Sequence, residues 1–370
     1  MMPTLPLLWL ATEAEGPMAR AEWSWATAPE VEDRRLEATL VERAAAALRA
    51  DPRVADTGVR VDAGCGRARC TLALDGLAGP VHDALPALEA VVVRTPPALR
   101  CRENRAVVRS WARSARSPGR VFEAAVQRVA GQAGPGVGAR PQVRPTRLAA
   151  VWAAMGARAG RLDVAGALPD AARVAAEAMA ERHPTGPAGG GAGAGPRPGV
   201  LLVDWPGAAR AQVAVLWPTA AADATRDALA VGDFESVLVQ RLREDEALTY
   251  DVEPLYGEGW AGAAFDVAPE GVARALQVAT DELAALDKAA PERVAAAHRR
   301  LRGRALGLRD TLAGRLALSR LPPVPEAPPA QVAAVREPAV AIVGDRQRIG
   351  VSAGVVVSPE VLMFGDARGP

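Results

Sequence analysis

Apolar and polar positions along the chain alternate between two periods. Residues 5–11 and 19–27 read as strands, and 34–49 recurs with the three-to-four spacing of an amphipathic helix. Residues 57–63 and 68–74 alternate Val with Asp and Leu with Ala, which predicts a hairpin. Helices are expected over 81–91, 97–115, 118–131 and 146–155, then a strand over 161–167 and a helix over 170–182. The order then repeats. Strands are expected at 200–204 and 211–217, helices at 221–229 and 234–244, and a hairpin at 248–255 and 259–267. Asp251-Val252-Glu253 alternates as an antiparallel strand does, and Tyr256-Gly257-Glu258-Gly259 supplies the turn. Helices follow over 269–286 and 291–318, each with Pro in the first turn, where its missing N–H costs nothing. Strands at 339–343 and 351–357 close the chain, with a hinge between them at Gly344-Asp345.

Two phrases mark the repeat as a duplication: Arg161-Leu162-Asp163-Val164-Ala165-Gly166 mirrors Pro338-Ala339-Val340-Ala341-Ile342-Val343-Gly344-Asp345. Between the halves, residues 184–199 read PTGPAGGGAGAGPRPG, a Gly/Pro-rich linker without apolar periodicity. It lacks the GxxxxGK[ST] pattern that a phosphate loop needs. Domains are therefore expected at 1–183 and 200–370. Strands grouped in hairpins and followed by helices argue α+β and not a doubly wound sheet.

Length and composition fit this picture. The chain has 370 residues, 49% of them hydrophobic, and a net charge of +1, which is globular composition for two or three domains. Balanced charge gives no reason to expect nucleic acid or an acidic membrane surface as a partner. Lys288 is the sole lysine, and the arginines at 299–304 read as a solvated helix face. The apolar N-terminal run lacks a basic n-region and reads as a first strand, not a signal peptide. No run of 18 apolar residues exists, so no membrane span is expected, and the expected location is cytoplasmic. Cys65, Cys70 and Cys101 are too few for a disulfide framework. Cys65 and Cys70 flank a hairpin turn, but free thiols are expected in a cytoplasmic protein. Trp23, Trp25, Trp205 and Trp217 lie on or beside predicted strands and are assigned to cores.

The candidate chemistry lies at the junction of the helix 234–244 and the strand expected from Leu248. Arg243 and Tyr250 stand seven residues apart there. Arginine offers a rigid fork of N–H donors and tyrosine one O–H, a pair able to grip a peptide carbonyl or stabilise an oxyanion. The same residues also fit a surface ion pair beside a half-buried strand tyrosine.

The segment FESVLVQRLREDEALTYDVEPLYGEG resembles the stretch of pitrilysin/insulinase-type zinc peptidases that reads roughly SRLxxxLREkxGLaYsv. That family includes the mitochondrial processing peptidase and the core proteins of the respiratory cytochrome bc complex. The resemblance implies two tandem α/β-roll domains, each an antiparallel-rich sheet with helices on one side, forming one half of a clamshell. It also implies that Arg243 and Tyr250 reach a substrate bound at a zinc site in the opposite half. The family's zinc motif, HxxEH, places two histidine ligands and a general base on one helix face. Here its place is taken by Thr39-Leu40-Val41-Glu42-Arg43. Glu42 keeps the base position as a vestige, Thr39 is a poor ligand, and Arg43 has no lone pair to give. Ser110 and Trp111 stand where the third ligand is expected, and His82, His183 and His298 are not at ligand spacing. The family's Gly-rich substrate loop falls near 231–238, which holds only Gly232.

No zinc is therefore expected in this chain. The resemblance implies a non-catalytic, alpha-type subunit, inactive alone, of a heteromeric zinc metallopeptidase. Its partner would be a homologous HxxEH-bearing chain that carries the zinc, in a heterodimer or heterotetramer acting on a peptide. The alternatives are an inactive structural or assembly protein of the same fold, and a module that adds extended peptides to a sheet edge.

Overall fold

A computed structural model describes residues 7–11, 17–28, 31–66, 69–93, 108–109, 112–113, 116–131, 144–158, 160–182, 195–257, 259–318, 324–352 and 354–364. The chain forms two compact units, each built on one sheet. Sheet 1 contains β1 (Leu7–Ala11), β2 (Met18–Ala26), β3 (Arg60–Cys65), β4 (Arg69–Leu77) and β5 (Gly160–Gly166), in the order β1-β5-β2-β4-β3. Sheet 2 contains β6 (Gly199–Asp204), β7 (Ala211–Pro218), β8 (Val252–Gly257), β9 (Trp260–Val267), β10 (Ala339–Gly344) and β11 (Val355–Val357), in the order β11-β6-β10-β7-β9-β8. Apart from the edge strand β11, the two orders are the same. β1 pairs in parallel with β5, and β6 pairs in parallel with both β10 and β11, while the remaining pairs are antiparallel. The mirrored phrases of the sequence are β5 and β10, which hold equivalent central places. The architecture is α+β with antiparallel-rich sheets, as expected.

Strand alternation decides which face each sheet buries. On β2, Ala19, Ala21, Trp23 and Trp25 join the core formed with the helices Val31–Arg49, Ala78–Val93, Pro145–Ala157 and Asp170–Arg182. Trp25 lies 5.8 Å from Trp152 between ring centroids. The alternate residues Arg20, Glu22 and Ser24 point to the other face, where Arg20 binds Glu22 at 2.9 Å, Asp62 at 3.1 Å and Asp75 at 3.0 Å. Arg161 and the fully buried Asp163 pair on β5 on that same face. Sheet 1 thus has an apolar face and an ionic one.

In sheet 2 both faces are apolar. Val213, Val215 and Trp217 of β7 face the main core, while Ala214 and Leu216 face a second cluster with Leu201, Val203, Ala341 and Val343. That second face is covered by the helix Pro118–Val129 through Val121, Ala124, Ala125 and Val126. The units are therefore not the two chain halves divided at 184–199. Helix Pro118–Val129, from the first half, belongs to the second unit, because the ionic face of sheet 1 offers nothing for its apolar stripe. In exchange, the helix Leu312–Leu318 belongs to the first unit and packs against β5 and β2.

Two further expectations change. The helix expected over 291–318 is two helices, Pro291–Leu308 and Leu312–Leu318, separated by a turn that lets the chain pass to the other unit. Cys65 and Cys70 are not free thiols. The β3–β4 register sets them directly opposite each other, 3.9 Å apart at Cα, and they form a disulfide. The helix expected over 97–115 lies outside the described residues except for 108–109 and 112–113, which are helical, and most of the linker, residues 184–194, lies outside them too. Among the described residues, no helix is long and apolar enough to cross a membrane.

The exchange of outer helices has a measurable consequence. Residues 192–370 produced alone lack Pro118–Val129 and expose Val203, Leu216, Ala341 and Val343. That fragment should bind a hydrophobic dye and melt without cooperativity, whereas co-production with residues 1–191 should restore a cooperative melt. A cooperative melt of the fragment alone would show that the exchanged helix is dispensable.

Candidate functional site

The site grows from the way the core holds residues 232–250. Leu238 and Leu242 are fully buried in the main core of the second unit. Ahead of them the turn 233–236 is closely tied. The Asp233 carboxylate accepts the Glu235 N–H at 3.0 Å and ion-pairs with Arg300 at 2.8 Å, and the Asp233 carbonyl accepts the Ser236 N–H at 3.0 Å. The Gln240 side chain donates to the Phe234 carbonyl at 2.6 Å. The chain then makes one α-helical turn, Val237–Val239, and widens into a π-helix, Gln240–Asp245. The Glu246 N–H reaches back to the Arg241 carbonyl at 3.1 Å. Single π-helical turns inside helices are frequent at functional sites.

The π-helix is bolted to the helix Val272–Ala284 by ion pairs. Arg241 binds Glu282 at 2.8 Å and Asp245 at 2.7 Å, and Arg274 binds Glu246 through Nε at 3.1 Å. The Arg274 guanidinium holds the Glu246 carboxyl below its ordinary pKa. The helix ends in a reversal at Ala247, which has a left-handed φ of 48°. There the N–H groups of Leu248 and Thr249 both turn back to the Leu242 carbonyl, at 2.9 and 3.4 Å.

The reversal alters the expected strand. Pairing with β9 starts at Val252, not Leu248, because local bonds take over first. Thr249 Oγ1 donates to the Asp251 carbonyl at 2.9 Å, and the Asp251 carboxylate accepts the Val252 N–H at 2.9 Å. Tyr250 is therefore not a half-buried strand residue. It lies in the bend and is 82% exposed. Arg243 lies with its guanidinium carbon 5.6 Å from the centre of the Tyr250 ring and 5.4 Å from that of Phe234. Its Nε is 3.2 Å from Glu244. Among the described residues, the terminal nitrogens of Arg243 and the hydroxyl of Tyr250 make no hydrogen bond. The half-buried Arg243 and the exposed Tyr250 are thus brought together as adjacent donors. Each cation–π contact contributes about 0.5–1 kcal/mol at an exposed position.

The other candidate residues lie apart from this pair, in the first unit. Thr39, Glu42 and Arg43 are on the helix Val31–Arg49, with Glu42 exposed and Thr39 and Arg43 half-buried. A threonine and an arginine one turn apart do not fit zinc. Among the described residues, no group of three His, Cys, Asp or Glu could hold a metal. Ser110, Trp111 and His183 lie outside the described residues. His82 is half-buried on the helix Ala78–Val93, while His298 is buried in the second unit, 3.0 Å from Thr225 Oγ1. The carboxylate of the first helix that is fully buried is Glu37, which accepts the Ala28 N–H at 3.0 Å and pairs with Arg158. Burial pushes the Glu37 carboxyl above its ordinary pKa despite these partners. Its position beside Leu36, within the helix's apolar stripe, was the available sequence signal.

Comparison with known proteins supports the fold. No family model and no curated protein matches the sequence. The structure resembles the peptidase M16 inactive domain from Pseudomonas fluorescens, with a TM-score of 0.66, 16% identity and coverage of 92% of this chain and 95% of that one. It also resembles a chain of Complex III2 from Candida albicans (TM-score 0.64, 10% identity, 91% and 93% coverage). A third resemblance is to the ferredoxin protease FusC in complex with Arabidopsis ferredoxin (TM-score 0.66, 12% identity), where 92% of this chain covers 44% of that one. At these identities what is shared is the fold, the one seen in that peptidase M16 inactive domain.

The left-handed Ala247 is a point of strain, because its Cβ crowds the backbone where glycine would not. Ala247→Gly should raise stability to urea by about 1 kcal/mol, after allowance for glycine's greater freedom in the unfolded chain. An unchanged or lowered urea midpoint would show that the reversal is not strained.

Proposed function

We propose that this chain is the non-catalytic, alpha-type subunit of a heteromeric zinc metallopeptidase. The observation that carries this reading is the Arg243/Tyr250 pair: the terminal nitrogens of Arg243, on a π-helix fixed to the core, and the hydroxyl of Tyr250 beside it make no hydrogen bond within the described residues. In the complete enzyme this chain would form one half of a clamshell. A homologous HxxEH-bearing chain would form the other half and would supply the zinc, the activated water and the general base. Arg243 and Tyr250 would hold the substrate backbone beside the scissile bond and donate to the oxyanion as negative charge develops there. Donors already aimed at that charge need no reorganisation when it forms.

A structural or assembly protein of the same fold would leave the Tyr250 hydroxyl and the terminal nitrogens of Arg243 without work. A peptide-binding module draws support from β8, the edge strand of sheet 2, although Pro254 removes one backbone donor from that edge. The Cys65–Cys70 disulfide favours an oxidising compartment over the cytoplasm.

Capture of the chain from its native lysate should bring down, in near-equal amount, a chain of similar size with HxxEH. In that complex, Arg243→Ala and Tyr250→Phe should each lower peptide turnover by about 10²–10³ while leaving assembly intact. The purified chain alone should hold no stoichiometric zinc and cleave nothing. Unchanged turnover in both variants would refute the assigned role, and failure to capture any HxxEH-bearing partner would favour the binding module.

A further inference from the structure

Phe234 is 68% exposed and contributes to no core cluster, yet the turn that carries it is held by several side-chain bonds. The neighbouring carboxylate of Asp233 takes the Arg300 guanidinium and the Glu235 N–H, and the Phe234 carbonyl itself takes the Gln240 side chain. Gly232, just before it, has no room for a Cβ: one would lie 2.5 Å from the Ala228 carbonyl oxygen. An isolated exposed phenylalanine needs no explanation. One presented on an immobilised turn, with its ring 5.4 Å from the guanidinium carbon of Arg243, does.

Arg243 is restrained in three ways: by the Glu244 carboxylate at Nε, by the Tyr250 ring and by the Phe234 ring. A long arginine side chain on a helix surface otherwise loses much rotamer entropy when it binds a ligand. Glu244 is 52% exposed at its side chain and holds only one edge of the guanidinium. Tyr250, in the reading above, has its own hydroxyl to offer to substrate. Phe234 has no polar group to offer, so its contact with Arg243 is the one restraint with no second task.

We propose that Phe234 is a positioning residue: it packs on Arg243 so that the terminal N–H groups are held outward, ready for the backbone of an extended peptide. This rests on Arg243 being a peptide donor. The ring's contribution is cation–π packing and lost side-chain freedom, so it depends on an aromatic face and not on hydrophobic volume. Leucine at 234 should therefore fail where tyrosine succeeds.

The test uses the full chain as wild type, Phe234→Leu, Phe234→Tyr and Arg243→Ala. Fluorescein-labelled casein serves as an unstructured polypeptide probe, and binding is read by anisotropy. In parallel, nitrogen–proton spectra of the arginine side chains report the ring-current shift of the Arg243 Nε–H. Phe234→Leu should weaken casein binding about two- to fivefold and move the Arg243 signal, and Phe234→Tyr should restore both. A purely structural role would lower the melting temperature without that aromatic rescue. If Arg243→Ala weakens binding while Phe234→Leu matches wild type, the positioning role is overturned and the donor role of Arg243 stands. If the wild type does not bind, or Arg243→Ala binds as the wild type does, the donor role fails and the positioning role fails with it.

Discussion

A sheet that is apolar on both faces must be covered on both, and sheet 2 is such a sheet. Its central strands β7 and β10 turn alternate side chains into two separate apolar clusters. With main-chain hydrogen bonds on both sides and cover above and below, these strands are the least deformable part of the second unit. The second cover has to come from somewhere, and it comes from the first half of the chain as helix Pro118–Val129. Sheet 1 makes no equal demand, because its outer face is occupied by Arg20, Glu22, Asp62, Asp75, Arg161 and Asp163, which satisfy one another. Removing one partner from such a buried set leaves an uncompensated charge, which is costly even where the intact set adds little net stability.

The double cover matters for the candidate site because the π-helix rests on the main core of sheet 2. Leu238 and Leu242 face inward and fix the segment's register. An ordinary α-helix turns about 100° per residue and would set Arg241, Arg243 and Asp245 at successive steps of about 200°. The wider π-turn closes on the Arg241 carbonyl and frees the Leu242 carbonyl to receive the returning chain. Arg241 is thereby committed to ion pairs with the helix Val272–Ala284, while Arg243 is left to the exposed rings of Phe234 and Tyr250. Two arginines two residues apart thus serve different purposes. Charge alone does not separate them; the partner each can reach does.

Much of this architecture is legible in the sequence. The strand and helix periods, the duplication and the equivalence of residues 161–166 with 338–345 all appear in the structure, because period-two and period-3.6 patterns are local and survive folding. The Arg243/Tyr250 pair was legible through its resemblance to a family pattern, and its proximity follows from the reversal between its members. Other features depend on information that is not local. The exchange of helices Pro118–Val129 and Leu312–Leu318 depends on which sheet has a second apolar face. The π-turn has the same composition as an α-turn. The start of β8 at Val252 reflects competition between Thr249 and Asp251 side chains and the ladder, a contest that propensity does not resolve. The disulfide depends on the β3–β4 register, which sets Cys65 opposite Cys70, and composition alone does not fix that register.

Ala247 links the strain of the site to its chemistry. The resembling family pattern has glycine at that place, where a left-handed φ is free of cost, and this chain keeps the conformation without the glycine. A cost on the order of 1 kcal/mol in a non-glycine residue persists only where the surroundings over-determine it. Here they do so from both sides, with Leu242 buried before the reversal and Val252 locked into β8 after it. The conformation held against that cost is the one that carries the chain from Arg243 round to Tyr250. In the first unit, by contrast, Thr39, Glu42 and Arg43 make no set that fits a metal, and the helix that bears them packs through Leu36, Leu40, Val41 and Glu37. The second unit holds a strained turn whose product is a half-buried arginine set beside an exposed tyrosine.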